Sequence, residues 1–354
     1  MGIQDLTKTI KKHAAAAIQV LEPRCLPGTI YGVDVFSYLY PAKYNPGAKG
    51  KGQHVRYFLD MITGWHAAGK RLVFVFDGNT SEVAEKAETI KKRTEIRQKN
   101  QDIIEEIKAS ISTGTATVED LKKAELRDIK ISTDDITDIK CLCRSMEVPF
   151  YQAEGEADSV LARLFETGVI HGVISEDSDI LTHGINLVVR GLIDGANRNS
   201  GVVNLYRLDT ILSSMELSME RFISLCILLG CDYCPRISGI GPVTALKHIK
   251  SGMDPLELAP NPEYKSRFLM ARNMFTDHNV PLNMGASEGE GTEALEARGQ
   301  LTGASFKAWV LSITNYTEKT LTERLNSYFS HPVPEPKKPL KIIIKPKLVQ
   351  APKI

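Results

Sequence analysis

An α/β fold, with a mostly parallel central sheet flanked by helices, is what this sequence predicts. Three runs carry that reading: Thr29-Ile30-Tyr31-Gly32-Val33-Asp34, Leu72-Val73-Phe74-Val75-Phe76-Asp77 and Gly172-Val173-Ile174-Ser175-Glu176-Asp177. Each is apolar and β-branched, each ends abruptly in acid, and helical stretches separate them. Continuous apolar runs bounded by turns are the pattern of parallel strands covered on both faces. The acids then fall at the carboxyl ends of the strands, the edge where open α/β sheets place their sites.

Composition bounds the rest. With 354 residues, 42% hydrophobic and 25% charged, the chain suits one large or two modest globular domains rather than a fibrous or disordered protein. Lys plus Arg (44) nearly cancels Asp plus Glu (43), so any polyanion site must come from local segregation of charge. The start, MGIQDLTKTIKKHAAAA, lacks a signal peptide's apolar stretch, and nowhere do the roughly eighteen apolar residues of a spanning helix run together. The expectation is a soluble, intracellular protein without a membrane partner. Gly2 invites a myristoylation reading, but Leu6 stands where that motif wants Ser or Thr.

Between Ser81 and Met146 the chain turns charged and helical, with Lys86, Lys91, Lys92, Arg93, Arg97 and Lys99 dense in its first half. Alone, that reads as a solvated helix pair with i,i+4 ion pairs. Two helical stretches, Glu220 to Leu229 and Val243 to Ile249, flank the glycine-punctuated turn Ile237-Ser238-Gly239-Ile240-Gly241-Pro242. Residues 286–303 read as a Gly- and Glu-rich loop, and 331–354 as a disordered Pro/Lys tail. The six cysteines include one C-x-x-C without a second pair at zinc spacing, so reduced thiols are expected, Cys226 and Cys231 lying in an apolar helical run.

The candidate chemistry rests on acids far apart in sequence but all at strand ends or helix starts: Asp34, Asp77, Glu156 with Asp158, Asp177 with Asp179, and Asp232. Singly, each reads as a helix cap or a solvated loop residue. The repeated D-x-D and E-x-D spacings are a stronger signal, because burying that much negative charge without a cation is costly. Hard divalent ions such as Mg²⁺ take carboxylate and water oxygens, and two ions close together need several carboxylates.

The segments MGIQDLTKTI, VDVFSYLY, FVFDG, EGEADSVLARL, ISEDSDILTHG, LCILLGCDYCPRISGIGP and TALKHI resemble, in order, the flap endonuclease branch of the structure-specific 5′ nuclease (XPG-type) family. The resemblance covers about residues 1–330. It implies a PIN-like α/β core and the following division: 1–105, N-terminal nuclease region; 81–135, helical gateway or arch; 136–255, internal nuclease region with a helix–two-turn–helix element; 256–330, C-terminal helices of the core; 331–354, tail. It implies two Mg²⁺ ions, with Mn²⁺ as a substitute, on the seven acids, and K⁺ as a further candidate at the helix–two-turn–helix turn. Glu154 offers a competing alignment for the acidic pair, but the distance from Asp158 to Asp177 favours Glu156 and Asp158.

By the same resemblance Lys86 and Arg93, seven apart on one helix face, are the gateway cations brought to the scissile phosphate. A two-residue insertion after Asp77 makes Lys91 or Lys92 substitutes for Lys86. Tyr40 matches an aromatic that stacks on an unpaired base, and Gly2 and Ile3 match a terminus close to the site. Asp5 departs from the family's usual Gly and adds negative charge there. Gly239 and Gly241 let backbone N–H groups approach duplex phosphates, and Lys247 and Lys250 add charge without sequence readout. The implied partner is DNA as 5′ flaps, junctions and nicked duplex, the protein a monomer, and the location the nucleus or, for a viral copy, the site of viral DNA replication. The stretch from Thr322 to Phe329 has the aliphatic and paired aromatics of a sliding-clamp box, yet Leu321, Leu325 and Tyr328 recur as in an amphipathic helix, which explains the pattern without a clamp. Rival readings are a 5′ to 3′ exonuclease of the same superfamily, disfavoured by chain length, and an inactive DNA-junction binding module, disfavoured because every acid is in place.

Overall fold

The computed structural model describes residues 2–43, 52–78, 87–125, 130–285 and 303–333. Lys86, the insertion after Asp77, the loop at 286–302 and the tail from 334 lie outside the described residues. Within them the chain runs α1 (Leu6–His13), β1 (Ile18–Leu21), β2 (Ile30–Asp34), α2 (Phe36–Lys43), α3 (Gln53–Ala67), β3 (Arg71–Phe76), α4 (Ala87–Ser112), α5 (Val118–Glu125), α6 (Thr133–Ser145) and β4 (Phe150–Gln152). It continues through α7 (Ala157–Glu166), β5 (Gly172–Ile174), β6 (Leu187–Arg190), α8 (Gly195–Ser200), β7 (Val203–Arg207), α9 (Leu208–Met215), α10 (Met219–Leu229), α11 (Pro242–Lys250) and α12 (Pro262–Thr276). Two further helices follow, α13 (Gly303–Ile313) and α14 (Glu318–Ser330).

The described strands form one sheet in the order β1-β7-β6-β5-β2-β3-β4. The β2–β3, β2–β5, β3–β4 and β5–β6 pairs are parallel, whereas β7 runs antiparallel to both β6 and β1. From β2 the chain moves outward to β3 and β4, then returns across α7 to place β5 on the other side of β2. That reversal is a topological switch point, with Asp34, Asp77 and Asp177 around it. The mostly parallel sheet is as predicted; its antiparallel edge had no signal of its own in the sequence. β1 is short and largely exposed, so it offered neither a buried run nor a full alternation to read.

Both faces of the sheet are covered, and alternation along β3 shows how. Val73 and Val75 enter the core formed with α1, α7 and α9–α12. Leu72, Phe74 and Phe76 enter the opposite core, with α2, α3, α6, α13 and α14. Cys226 is buried in α10, but Cys231 lies past the helix end in an intermediate position, a correction to its expected place. The helix stops at Gly230, whose φ is 95°. The clamp-like stretch is spent on the core: Leu321 and Leu325 are buried, and the Tyr328 hydroxyl donates to Met146 O at 2.9 Å. No helix of the described residues is long and apolar enough to cross a membrane.

One polar cluster joins α2, α3 and α6. Asp135 closes a capping box with Ser132 and accepts from Lys43 Nζ at 2.6 Å, with His54 Nε2 3.7 Å away. Burial opposes its ionisation, but the hydrogen bonds from Lys43 and Ser132 outweigh that and hold the carboxyl below its ordinary value. A carboxyl depressed in the folded state stabilises above its unfolded pKa and loses that contribution as pH falls through the folded one. Asp135→Asn is therefore expected to cost about 1–3 kcal/mol near neutral pH. In thermal unfolding the gap to wild type should close below about pH 4, and a gap independent of pH would show that the charge does not matter.

Candidate active site at the carboxyl edge of the sheet

Four separate chain segments deliver acids to the switch point. Asp34 ends β2 and is 7% exposed. Its Oδ2 accepts from Ser175 Oγ at 2.8 Å and from the Ser37 hydroxyl, and Oδ1 accepts from Ser37 N at 3.3 Å. These are neutral donors that fix the carboxylate and leave its charge in place. Asp77 follows β3, and its Oδ1 accepts from Ala157 N at 2.8 Å, the first amide of α7. Glu156 is the N-cap residue of α7, and Asp158 lies in its first turn. The positive end of a helix thus faces three of the acids.

The fourth segment follows β5. Asp177 N donates to Ser175 Oγ at 3.0 Å and Asp177 Oδ1 accepts from Asp179 N at 3.0 Å, a tight turn that holds both acids. Glu176, between them and the strand, turns away: its carboxylate accepts from Gly191 N and Leu192 N at 2.8–3.0 Å and pins the segment after β6. A further acid, Asp232, follows α10. Tyr233 there donates to Glu156 Oε2, and Asp232 precedes it in the chain.

The acids feel one another. Burial pushes the Asp158 carboxyl well above the usual carboxylate range, and the charges of Asp34, Asp177, Glu156 and Asp77 push it further. Asp34 is raised by burial and by Asp177, against the pull of its serine hydrogen bonds. The Tyr233 phenol is raised by burial, then by Glu156, Asp158 and Asp179. Glu154, the competing residue, is exposed and enters none of these interactions. Among the described residues no three His, Cys, Asp or Glu side chains close into a ligand cage by themselves. The donor set nonetheless fits a hard cation, being all oxygen and mutually repulsive, and Mg²⁺ characteristically takes one or two carboxylates while retaining water.

The N-terminal segment closes over this edge. Ile3 N donates to Ser178 Oγ at 3.0 Å, and Gln4 N donates to Gly230 O at 3.1 Å. Gly2 has φ 102°, and a Cβ there would stand 2.4 Å from both Asp177 Oδ1 and Ser178 Oγ. The charge expected from Asp5 is not free: Oδ1 pairs with Lys8 Nζ at 3.0 Å and Oδ2 with Arg236 Nη2 at 2.9 Å. Those two partners lower its pKa. Asp5 has φ 56°, a left-handed conformation that glycine adopts without strain and Asp tolerates.

The remaining expected residues sit on other elements. Tyr40 sits on α2 and is 36% exposed, accessible enough to stack on another ring. Lys91, Lys92 and Arg93 belong to α4, where the structure describes their backbone alone. Gly239 takes φ 80°, while Gly241 is extended and serves as N-cap of α11, with Pro242 at the first helical position. Lys247 and Lys250 are exposed on that helix, Lys250 facing Glu216 at 3.9 Å. Ser37, Ser175 and Ser178, which hold the acids and the terminus, were not singled out from the sequence. Their only signal is position, a hydroxyl within three residues of a strand-end Asp.

The family model of the XPG N-terminal domain matches residues 1–100, and that of the XPG I-region matches residues 147–232. Flap endonuclease 1 of Cryptosporidium muris is 32% identical over 306 residues, covering 79% of this chain; the chain spans only 63% of that protein's length. Flap endonuclease 1-A of Sorghum bicolor is 30% identical over 302 residues, 80% of this chain and 77% of the relative. The catalytic core of Rad2, solved with a DNA substrate, superposes with a TM-score of 0.62 at 19% identity, covering 92% of this chain and 100% of that one. The Holliday junction-resolving enzyme GEN1, solved with product DNA and Mg²⁺, gives 0.55 at 17% identity, covering 90% and 77%.

Gly2→Ala tests how closely the terminus abuts the acids. The strain and the clash with Asp177 should lower stability by about 1–3 kcal/mol and shift the backbone amide resonances of Asp177 and Ser178 while leaving those of β1 in place. An unchanged melting temperature and spectrum would mean that the terminus does not rest there in solution.

Proposed function

Because the chain belongs to the XPG family of flap endonuclease-like nucleases, we propose that it hydrolyses a phosphodiester of branched DNA, cutting 5′ flaps near their junction in replication and repair. The observation that carries this reading is the convergence of acids from four chain segments on the switch point of the sheet, crowded enough that burial and the neighbouring charges raise Asp158 and Asp34. Asp34, Asp77, Glu156, Asp158, Asp177, Asp179 and Asp232 would hold two divalent ions, Mg²⁺ with Mn²⁺ as a substitute. When bound, such ions supply charge stabilisation for an in-line displacement at phosphorus.

The chain's own residues then divide the labour. The Ser37 and Ser175 hydroxyls and the Ala157 amide hold Asp34 and Asp77 in fixed rotamers. α4 would bring Arg93, with Lys91 or Lys92 as partner if Lys86 is not, to the scissile phosphate, where a cation offsets the charge that develops in the transition state. Tyr40 would stack on an unpaired base beside the cut, a contact that favours frayed over continuous duplex. The turn at Gly239 and Gly241, with Lys247 and Lys250 on α11, would grip the duplex backbone at a helix N-terminus without reading sequence. Selection is thus for the shape of a junction. Clamp binding through residues 322–329 is not part of this reading, since the core uses Leu325 and Tyr328.

A labelled 5′-flap duplex, a nicked duplex and a blunt duplex, each with Mg²⁺ and with excess EDTA, test the proposal. The flap should be cut near its junction, chelation should abolish cutting, and Asp177→Ala should cost about two orders of magnitude or more in rate, several kcal/mol of lost stabilisation. Full activity in EDTA would remove the metal reading, and preferred degradation of the blunt duplex would favour an exonuclease.

A second pair of variants separates a catalytic cation from a binding one. Arg93→Ala should lower the single-turnover rate far more than flap affinity, whereas Lys247→Ala should weaken affinity and reduce the salt slope by about one unit. Equal effects on affinity with no change in rate at saturating enzyme would make Arg93 a solvated helix residue.

A further inference from the structure

A buried chain of polar groups joins the acid cluster to the far end of α7, and none of the roles assigned above uses it. His183 ends the short 3₁₀ turn Asp179–His183; its side chain is 2% exposed, with its ring edge-on to Phe275 at 5.5 Å. His183 Nδ1 lies 3.1 Å from His278 Nε2, and His278 Nδ1 lies 2.9 Å from Glu166 Oε1. The other nitrogen of His183, Nε2, lies 4.0 Å from Asp158 Oδ2. Asp158 and Glu166 stand at opposite ends of the same helix.

Partner chemistry sets the direction of the protons. Glu166 is half-exposed and accepts, so His278 Nδ1 carries a proton. Phe275 O, 3.2 Å from His278 Nε2, also only accepts, so that nitrogen carries a proton too. His278 then donates at both ends, to Glu166 and toward His183. His183 must accept at Nδ1, which leaves its own proton on Nε2, directed at Asp158. The opposite assignment would set bare nitrogen lone pairs against both the Phe275 carbonyl and the Asp158 carboxylate.

We infer that Glu166, His278 and His183 are positioning residues, a relay that presents an N–H to Asp158 and so fixes which carboxylate oxygen faces the ion site. At 4.0 Å the contact is an approach rather than a closed hydrogen bond. The carboxyl closes it by turning about its terminal torsion, which is broad and soft. Hydrogen-bonding partners of this kind orient metal-binding carboxylates, and losing them costs about 10–100-fold in metal affinity. The relay rests on the metal reading of Asp158 given above.

The test uses Mn²⁺ alone, titrated into the whole protein without DNA and followed by the EPR signal of the free ion. His183→Phe keeps the ring's volume against Phe275 and removes both nitrogens; it should weaken Mn²⁺ binding about tenfold or more with flap affinity in EDTA unchanged. Glu166→Gln, on an exposed side chain that cannot unsettle the core, should shift binding in the same direction. His278→Gln, whose amide can still donate to His183, should retain most of the affinity. Imidazole ¹⁵N spectra of the wild type should show both nitrogens of His278 protonated and the His183 proton on Nε2. Absence of Mn²⁺ binding by the wild type would overturn the metal reading and the relay with it. Wild-type binding that His183→Phe and Glu166→Gln leave intact, or a His183 proton on Nδ1, would overturn the relay alone.

Discussion

Like charges crowded at one edge of a sheet are the constraint on which the rest of this structure depends. Asp158 senses four other carboxylates and is partly buried as well, so the fold must hold together a cluster that repels itself. It does so with partners that leave the charge standing. Serine hydroxyls grip Asp34, the first amide of α7 grips Asp77, and the amino-terminal end of that helix favours the negative groups around it. A set of lysines in the same places would stabilise the cluster and also neutralise it. The selection of neutral donors keeps the charge available to a cation and to the chemistry it serves.

Holding that edge requires elements distant in sequence to meet within hydrogen-bonding distance. The N-terminal segment is stapled at two points, by Ile3 to Ser178 beside the acids and by Gln4 and Asp5 to the segment between α10 and α11. Arg236 serves that segment twice, donating from Nε to Leu229 O at 2.7 Å and pairing with Asp5. The segment leading into the turn proposed to grip duplex and the turn that carries Asp177 are therefore bridged by Ile3, Gln4 and Asp5. An ion pair this exposed contributes little stability by itself; its consequence is geometric, because it helps to fix where the N-terminal segment lies.

Individual residues show what kind of information a sequence carries. Asp34, Asp77 and Asp177 were legible because a buried strand writes itself as an apolar run, and an acid at the end of such a run has a defined place at the sheet edge. β1 was not legible, since four largely exposed residues on an antiparallel edge have no burial period to display. The role of Asp5 was half legible. Its departure from glycine was visible, but its pairing with Arg236, 231 residues away, is a contact that no local pattern encodes. Glu176, next to Asp177 in the chain, is turned by the backbone toward Gly191 and Leu192, a direction that no local pattern encodes.

By itself the sequence determined the class of the fold, the strand ends that carry acid and the family resemblance, because these depend on local periodicity and on residues spaced along a single element. Only the tertiary structure decided the strand order, the reversal between β5 and β3 across β2, and the meeting of Asp158 with Asp34, Asp77 and Asp177. It alone decided that His183, Phe275, His278 and Glu166 form one chain of contacts. The physical reason is that repulsion, burial and hydrogen-bond direction are properties of distances in space. Residues separated by a hundred positions acquire them only when the sheet and its two layers of helices have closed.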